Sequence, residues 1–145
     1  MSTVRQLAAI MFTDMVGYTA LMQTNEALAN TKRERHKVVL ERTILKFRGK
    51  ILQYYGDGTL SIFNSTLEGV RCAIEIQKQL AEEPKVALRI GMHSGDIALE
   101  EEGIYGDGVN VASRIESLAV PGAVFISEKV WDDTKNQSDI EAREI

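Results

Sequence analysis

The sequence predicts an α+β sandwich with a mostly antiparallel sheet, and two observations carry the prediction. Residues 51–63, ILQYYGDGTLSIF, set two β-prone apolar runs on either side of Gly56-Asp57-Gly58, where Asp-Gly tolerates the positive φ of a tight hairpin. The whole chain then alternates as strand, helices, hairpin, helix, hairpin, helix, strand, helix. That order suggests a ferredoxin-like core with its helices packed largely on one face of the sheet. In the hairpin, strict alternation puts Ile51, Gln53 and Tyr55 on one face and Leu52 and Tyr54 on the other. Both faces carry apolar side chains, so the face away from the helices also needs cover, most economically by a second copy of the chain.

Residues 7–12 form an apolar run read as a buried strand that delivers Asp14 at its C-terminal end. Gly17-Tyr18-Thr19 opens a helical segment. Residues 25–47 form the longest helix, with Leu40, Ile44 and Phe47 inward, Lys32 to Arg35 solvated and Gly49 as its stop. After the hairpin, Ser65 and Glu68 make a capping box for a helix to about residue 81, with Leu67, Val70, Ile74 and Ala81 inward. Residues 86–93 alternate as a strand, with 97–99 as its hairpin partner across Ser94-Gly95-Asp96. A glycine-spaced connection, residues 103–108, leads into a helix over 109–118 with Val111, Ile115 and Leu118 buried and Asn110, Arg114 and Ser117 on another face. Residues 123–126 form a further strand, and Ser127 caps a short helix.

The chain has 145 residues, 44% hydrophobic and 26% charged, as expected of one globular domain spanning residues 1–145. A net charge of -4 argues against nucleic acid or an anionic membrane as a bulk electrostatic partner. No apolar run is long enough to span a membrane and the N-terminus lacks a cleavable signal pattern, which predicts a cytoplasmic location. Cys72 reads as a plain buried thiol, and His36 and His93 lack metal-ligand spacing. Trp131 and Tyr105 read as packing residues.

Asp14 ends the first strand and Asp57 tips the hairpin, and an antiparallel core can set these elements side by side. Two carboxylates held together suit a divalent cation, and Mg²⁺ favours one or two carboxylates plus phosphate oxygens. Taken singly, Asp57 is also a common turn residue and Asp14 a helix-capping group. Asn110 and Arg114, four apart on one helix face, can orient a sugar and stabilise charge on a transferring phosphoryl group. A solvated helix face, with Arg114 paired to a carboxylate, is the other explanation.

Four blocks in order, IMFTDMVGYT from Ile10, GDG from Gly56, RIGMHSG from Arg89 and YGDGVNVASR from Tyr105, resemble the catalytic domains of class III nucleotidyl cyclases, the adenylate and guanylate cyclases. The resemblance covers residues 7–131. It implies a ferredoxin-like α/β sandwich of the class III cyclase type and a phosphorus-oxygen lyase that turns a nucleoside triphosphate into a 3′,5′-cyclic nucleotide and pyrophosphate. Asp14 and Asp57 match its metal aspartates, holding two ions, Mg²⁺ or Mn²⁺. Met15, Val16, Gly17, Tyr18 and Thr19 match its phosphate-cradling segment, where free amides at a helix start favour anions. Asn110 matches the ribose-orienting residue and Arg114 the transition-state residue, both supplied by the opposite subunit of a head-to-tail homodimer.

The two base-reading positions depart from the pattern: Gln53 stands where adenylate cyclases carry Lys and guanylate cyclases Glu, and Gly103 where Asp or Thr is typical. ATP is the favoured substrate and GTP the second. The alternatives are a pyrimidine nucleotide cyclase and a degenerate module that binds nucleotide or only dimerises. Family domains usually continue through a last pair of strands, so the resemblance implies a domain truncated at its C-terminal end, with a sensory or repeat region beyond.

Overall fold

A computed structural model describes residues 4–145; the first three residues of the stretch read as lacking a signal pattern lie outside them. The described elements are β1 (Val4–Met15), α1 (Tyr18–Thr24), α2 (Glu26–Lys46), β2 (Lys50–Tyr55), β3 (Gly58–Phe63), α3 (Thr66–Leu80), β4 (Leu88–Glu100), β5 (Gly103–Tyr105), α4 (Asp107–Leu118), β6 (Val124–Ile126) and α5 (Glu128–Thr134). They build an α+β fold on one sheet, ordered β2-β3-β1-β4-β5, with β6 alone running parallel, against β4. The sheet is therefore mostly antiparallel, as its sequence predicts.

A large core lies on the face covered by α2, α3 and α5, where Met11, Leu40, Ile44, Phe63, Ile76 and Leu88 are buried. The opposite face holds a smaller cluster of Ala8, Ile10, Phe12, Leu60, Ile62, Ile97 and Ala112. One helix, α4, covers part of that second face, so the cover expected from a second copy begins within the chain.

β4 corrects the predicted hairpin at Ser94-Gly95-Asp96. It runs unbroken because β1 pairs with it along its full length, Ala9 with Ser94, Ala8 with Gly95 and Leu7 with Asp96, satisfying the backbone groups a turn would have freed. The turn comes later, before β5, so the glycine-spaced connection contains a short strand. On α4 the buried residues are Gly108 and Ala112, while Leu118 is 74% exposed; close packing on β4 selects the small face over the Val111, Ile115, Leu118 stripe. A register shift between Ile51 and Gln53 breaks strict alternation in β2. Ahead of the shift, Ile51 packs into the helix-side core and Leu52 against the other cluster, on opposite faces as alternation predicts.

Smaller corrections follow from backbone geometry. Arg48, φ 64°, makes the left-handed turn after α2, and Gly49 donates its amide to the Ile44 carbonyl at 2.8 Å. Ala81 caps α3 and faces solvent. Ser65 accepts from the Glu68 amide at 3.2 Å, the Ser half of the capping box. Tyr105 is 48% exposed, so it is no packing residue, whereas Cys72 is fully buried and its thiol is pushed up to about 12.

Gly91 shows how tightly α4 sits. A Cβ there would overlap the backbone of Glu116, so Gly91→Ala must push α4 off the sheet. The expected cost is about 1–3 kcal/mol, read as a lower midpoint in urea unfolding.

His36 is buried on α2, and burial pushes its imidazole down to about 4. Below its ordinary value of 6.5 the unfolded chain takes a proton that the folded chain refuses. Stability from this group is thus complete above about pH 6.5 and is lost as pH falls toward 4, in total on the order of 3 kcal/mol. Thermal unfolding between pH 7 and 4.5 should fall less steeply for His36→Leu than for the native chain.

Candidate active site

Two backbone pairings set the geometry. Asp14 stands opposite Gly58 in the β1/β3 ladder, and the Met15 amide donates to the Asp57 carbonyl at 2.9 Å. The hairpin tip is thereby pinned to the end of β1. Gly58 is required for this, since a Cβ would overlap the Thr13 carbonyl. Beneath it, the buried Thr13 and Thr59 hydroxyls meet at 2.8 Å. Asp14 and Asp57 line one open cavity of about 390 Å³, together with Tyr55, Asn110, Ser113 and Glu116.

Asp14 does not cap α1, which has no side-chain cap. Its carboxylate instead accepts two hydrogen bonds from Arg89, Nε to Oδ1 at 3.0 Å and Nη2 to Oδ2 at 2.9 Å, across the β1/β4 ladder. Arg89 Nε also lies 3.6 Å from Glu116 Oε2. The hydrogen bond to Asp14, chiefly, raises the Arg89 guanidinium above its ordinary value. Burial and then the field of Asp14 push the Glu116 carboxyl up to about 6; Arg89 opposes that rise and Asp57 adds to it. The cavity is thus a site with excess negative potential.

Sequence reasoning missed Arg89 and Glu116. The available signal was Arg89 standing between Leu88 and Ile90 in an apolar strand, but its pairing with Asp14 depends on the β1/β4 register. Glu116, two residues beyond Arg114, carries no local signal in the sequence that marks it.

The two helix residues separate. Asn110 borders the cavity of its own chain, whereas Arg114, one turn further on, is exposed, lies outside the cavity's lining and makes no hydrogen bond or ion pair among the described residues. The carboxylate partner considered for Arg114 is therefore not found. In the segment 15–19, Met15 and Val16 spend their amides on the Asp57 and Ala87 carbonyls, both at 2.9 Å. Only the amides of Gly17, Tyr18 and Thr19, at the start of α1, escape such loop bonds. Gln53 is exposed on β2 and accepts from the Tyr55 hydroxyl at 3.2 Å. Gly103 opens β5 at φ 149°, where a side chain would be strained.

Among the described residues no three His, Cys, Asp or Glu side chains form a metal cage. Two carboxylates in an electronegative cavity nonetheless fit a hard cation that takes its remaining ligands from water and phosphate.

The family model of the adenylate and guanylate cyclase catalytic domain matches residues 59–145. The chain belongs to this family. A protein of Rhizobium meliloti (strain 1021) provisionally named adenylate cyclase 3 is 39% identical over 94% of the chain, which spans 25% of that protein. An adenylate cyclase of Glutamicibacter nicotianae is 30% identical over 90% of the chain, which spans 33% of it. The chain thus covers a third or less of the length of these relatives. Among solved structures, an adenylate/guanylate cyclase/hydrolase from Silicibacter pomeroyi superposes with a TM-score of 0.82 at 35% identity, covering 92% of this chain and 82% of that one. The adenylyl cyclase CyaB from P. aeruginosa, at 21% identity, TM-score 0.85 and 94% and 84% coverage, shares the cyclase domain's fold. Among the described residues of this cyclase domain no helix is long and apolar enough to cross a membrane.

Proposed function

We propose that the protein is a metal-dependent nucleotidyl cyclase that converts ATP, and secondarily GTP, to the 3′,5′-cyclic monophosphate and pyrophosphate. The observation that carries this is the delivery of Asp14 and Asp57 into one cavity by the pinned hairpin. The names of the Rhizobium and Glutamicibacter relatives favour ATP.

In the reaction the ribose 3′-oxygen bonds to the α-phosphorus, the bond to the bridging oxygen breaks, pyrophosphate leaves and the hydroxyl proton passes to solvent. Asp14 and Asp57 would hold two divalent ions, Mg²⁺ or Mn²⁺, which when bound would supply Lewis-acid stabilisation of phosphate charge and activation of the 3′-hydroxyl. Arg89 fixes the orientation of Asp14 and offsets its charge, with Glu116 as its second carboxylate. Gly17, Tyr18 and Thr19 offer amides to phosphate oxygens, and Asn110 orients the ribose. Arg114 lies outside its own chain's cavity, which supports its delivery from a second copy in a head-to-tail homodimer. There it neutralises charge on the transferring phosphoryl group. Gln53 contributes an amide that both donates and accepts, and Gly103 only backbone, to the base.

Incubation with Mn²⁺ and each of ATP, GTP, CTP and UTP in turn, followed by mass spectrometry, tests the assignment. Cyclic product is expected most from ATP. Product from CTP or UTP alone overturns the purine assignment, and none from any of the four overturns the activity.

A further inference from the structure

Behind the hairpin tip lies a second cavity, of about 210 Å³, that the cyclase chemistry does not use. One wall is α2, presenting Arg33, His36 and Lys37 at i, i+3 and i+4, one face of the helix. The other is the backbone of Gly56 and Gly58, with Met15 and Tyr54 beside them. Gly58 also lines the aspartate cavity, so one thin turn separates the two, and the Asp57 side chain belongs to the far side.

Three features give this cavity its chemistry. Arg33 and Lys37 make no hydrogen bond or ion pair among the described residues, although the chain carries a net charge of -4 and Glu41 stands one turn beyond Lys37. Glu41 accepts instead from the Tyr54 hydroxyl at 2.7 Å. His36 is 4% exposed and its Nε2 is buried without a partner, a polar atom whose desolvation nothing in the fold offsets. Held neutral by burial, the ring offers a hydrogen bond and no charge. Two cations beside an unpaired nitrogen, facing a turn with no side chain at either glycine, match a compact oxyanion.

We propose that this cavity binds a phosphate-sized oxyanion, free phosphate or the terminal group of pyrophosphate, between Arg33, Lys37 and the hairpin backbone. Such a ligand braces the turn that carries Asp57. Binding there and cation binding at Asp57 are then linked, each altering the other's affinity by the same factor.

The test uses metal-free protein without nucleotide, so that its outcome is independent of the cyclase activity. Sodium phosphate, and separately pyrophosphate, is titrated at constant ionic strength against chloride while the His36 ring resonances are followed by NMR. A saturable shift is expected, with the dissociation constant raised at least about tenfold in Arg33→Gln and in Lys37→Gln, both exposed positions that leave the fold intact. Tighter binding of pyrophosphate than of phosphate names the reaction product as the source, and equal binding names the lone phosphate group. A shift that follows chloride without saturating, or that persists unchanged in the Arg33→Gln, Lys37→Gln double variant, overturns the proposal.

Discussion

Asp57→Asn is expected to abolish cyclisation while leaving the fold in place. The substitution keeps the turn's size and the Asp57 carbonyl that binds Met15, but it removes one of two carboxylates from the cavity. Loss of several kcal/mol of charge stabilisation corresponds to a fall in kcat of about a thousandfold or more. Steady-state rates with Mn²⁺, read beside thermal unfolding, check it. A variant that unfolds like the native protein and retains a tenth or more of its rate would remove Asp57 from the machinery. The same change should bring the Glu116 carboxyl back down from about 6, because Asp57 is one of the charges that raise it.

Arg114→Ala is likewise expected to be inactive, and mixing it with Asp57→Asn should restore activity. If each site takes its aspartates from one chain and Arg114 from the other, a mixed dimer keeps one intact site. Random pairing of equal amounts then yields about a quarter of the native rate. Size-exclusion chromatography confirms that the mixture is dimeric. No recovery in confirmed dimers means that both residues serve the same site from one chain, and the exposed placement of Arg114 would then need another explanation.

Much of the fold is legible in the sequence because its signals are local. The Gly56-Asp57-Gly58 turn, the Ser65 and Ser127 caps and the apolar spacing of α2 act within a few residues of themselves. The misread parts depend on distant partners. Gly95 looks like a turn residue until twelve residues of β1 pair past it, and Leu118 looks buried until Gly108 and Ala112 prove to be the face that packs. The site divides in the same way. Asp14 and Asp57 announce themselves at a strand end and a turn, but Arg89 and Glu116 acquire their roles only through strand register and the crossing of α4 over Gly91. Two of the five amides at 15–19 are consumed by loops that no local pattern encodes.

The proposed metal-dependent cyclisation rests on Asp14 at the end of β1 and Asp57 on the hairpin tip pinned beside it. Mass analysis of the products from ATP and Mn²⁺, with and without a chelator, tests it most directly. Cyclic AMP and pyrophosphate in equal amounts, both absent when the chelator is in excess, are predicted. Cyclic product that survives chelation, or ATP recovered unchanged beside a folded dimer, would contradict it.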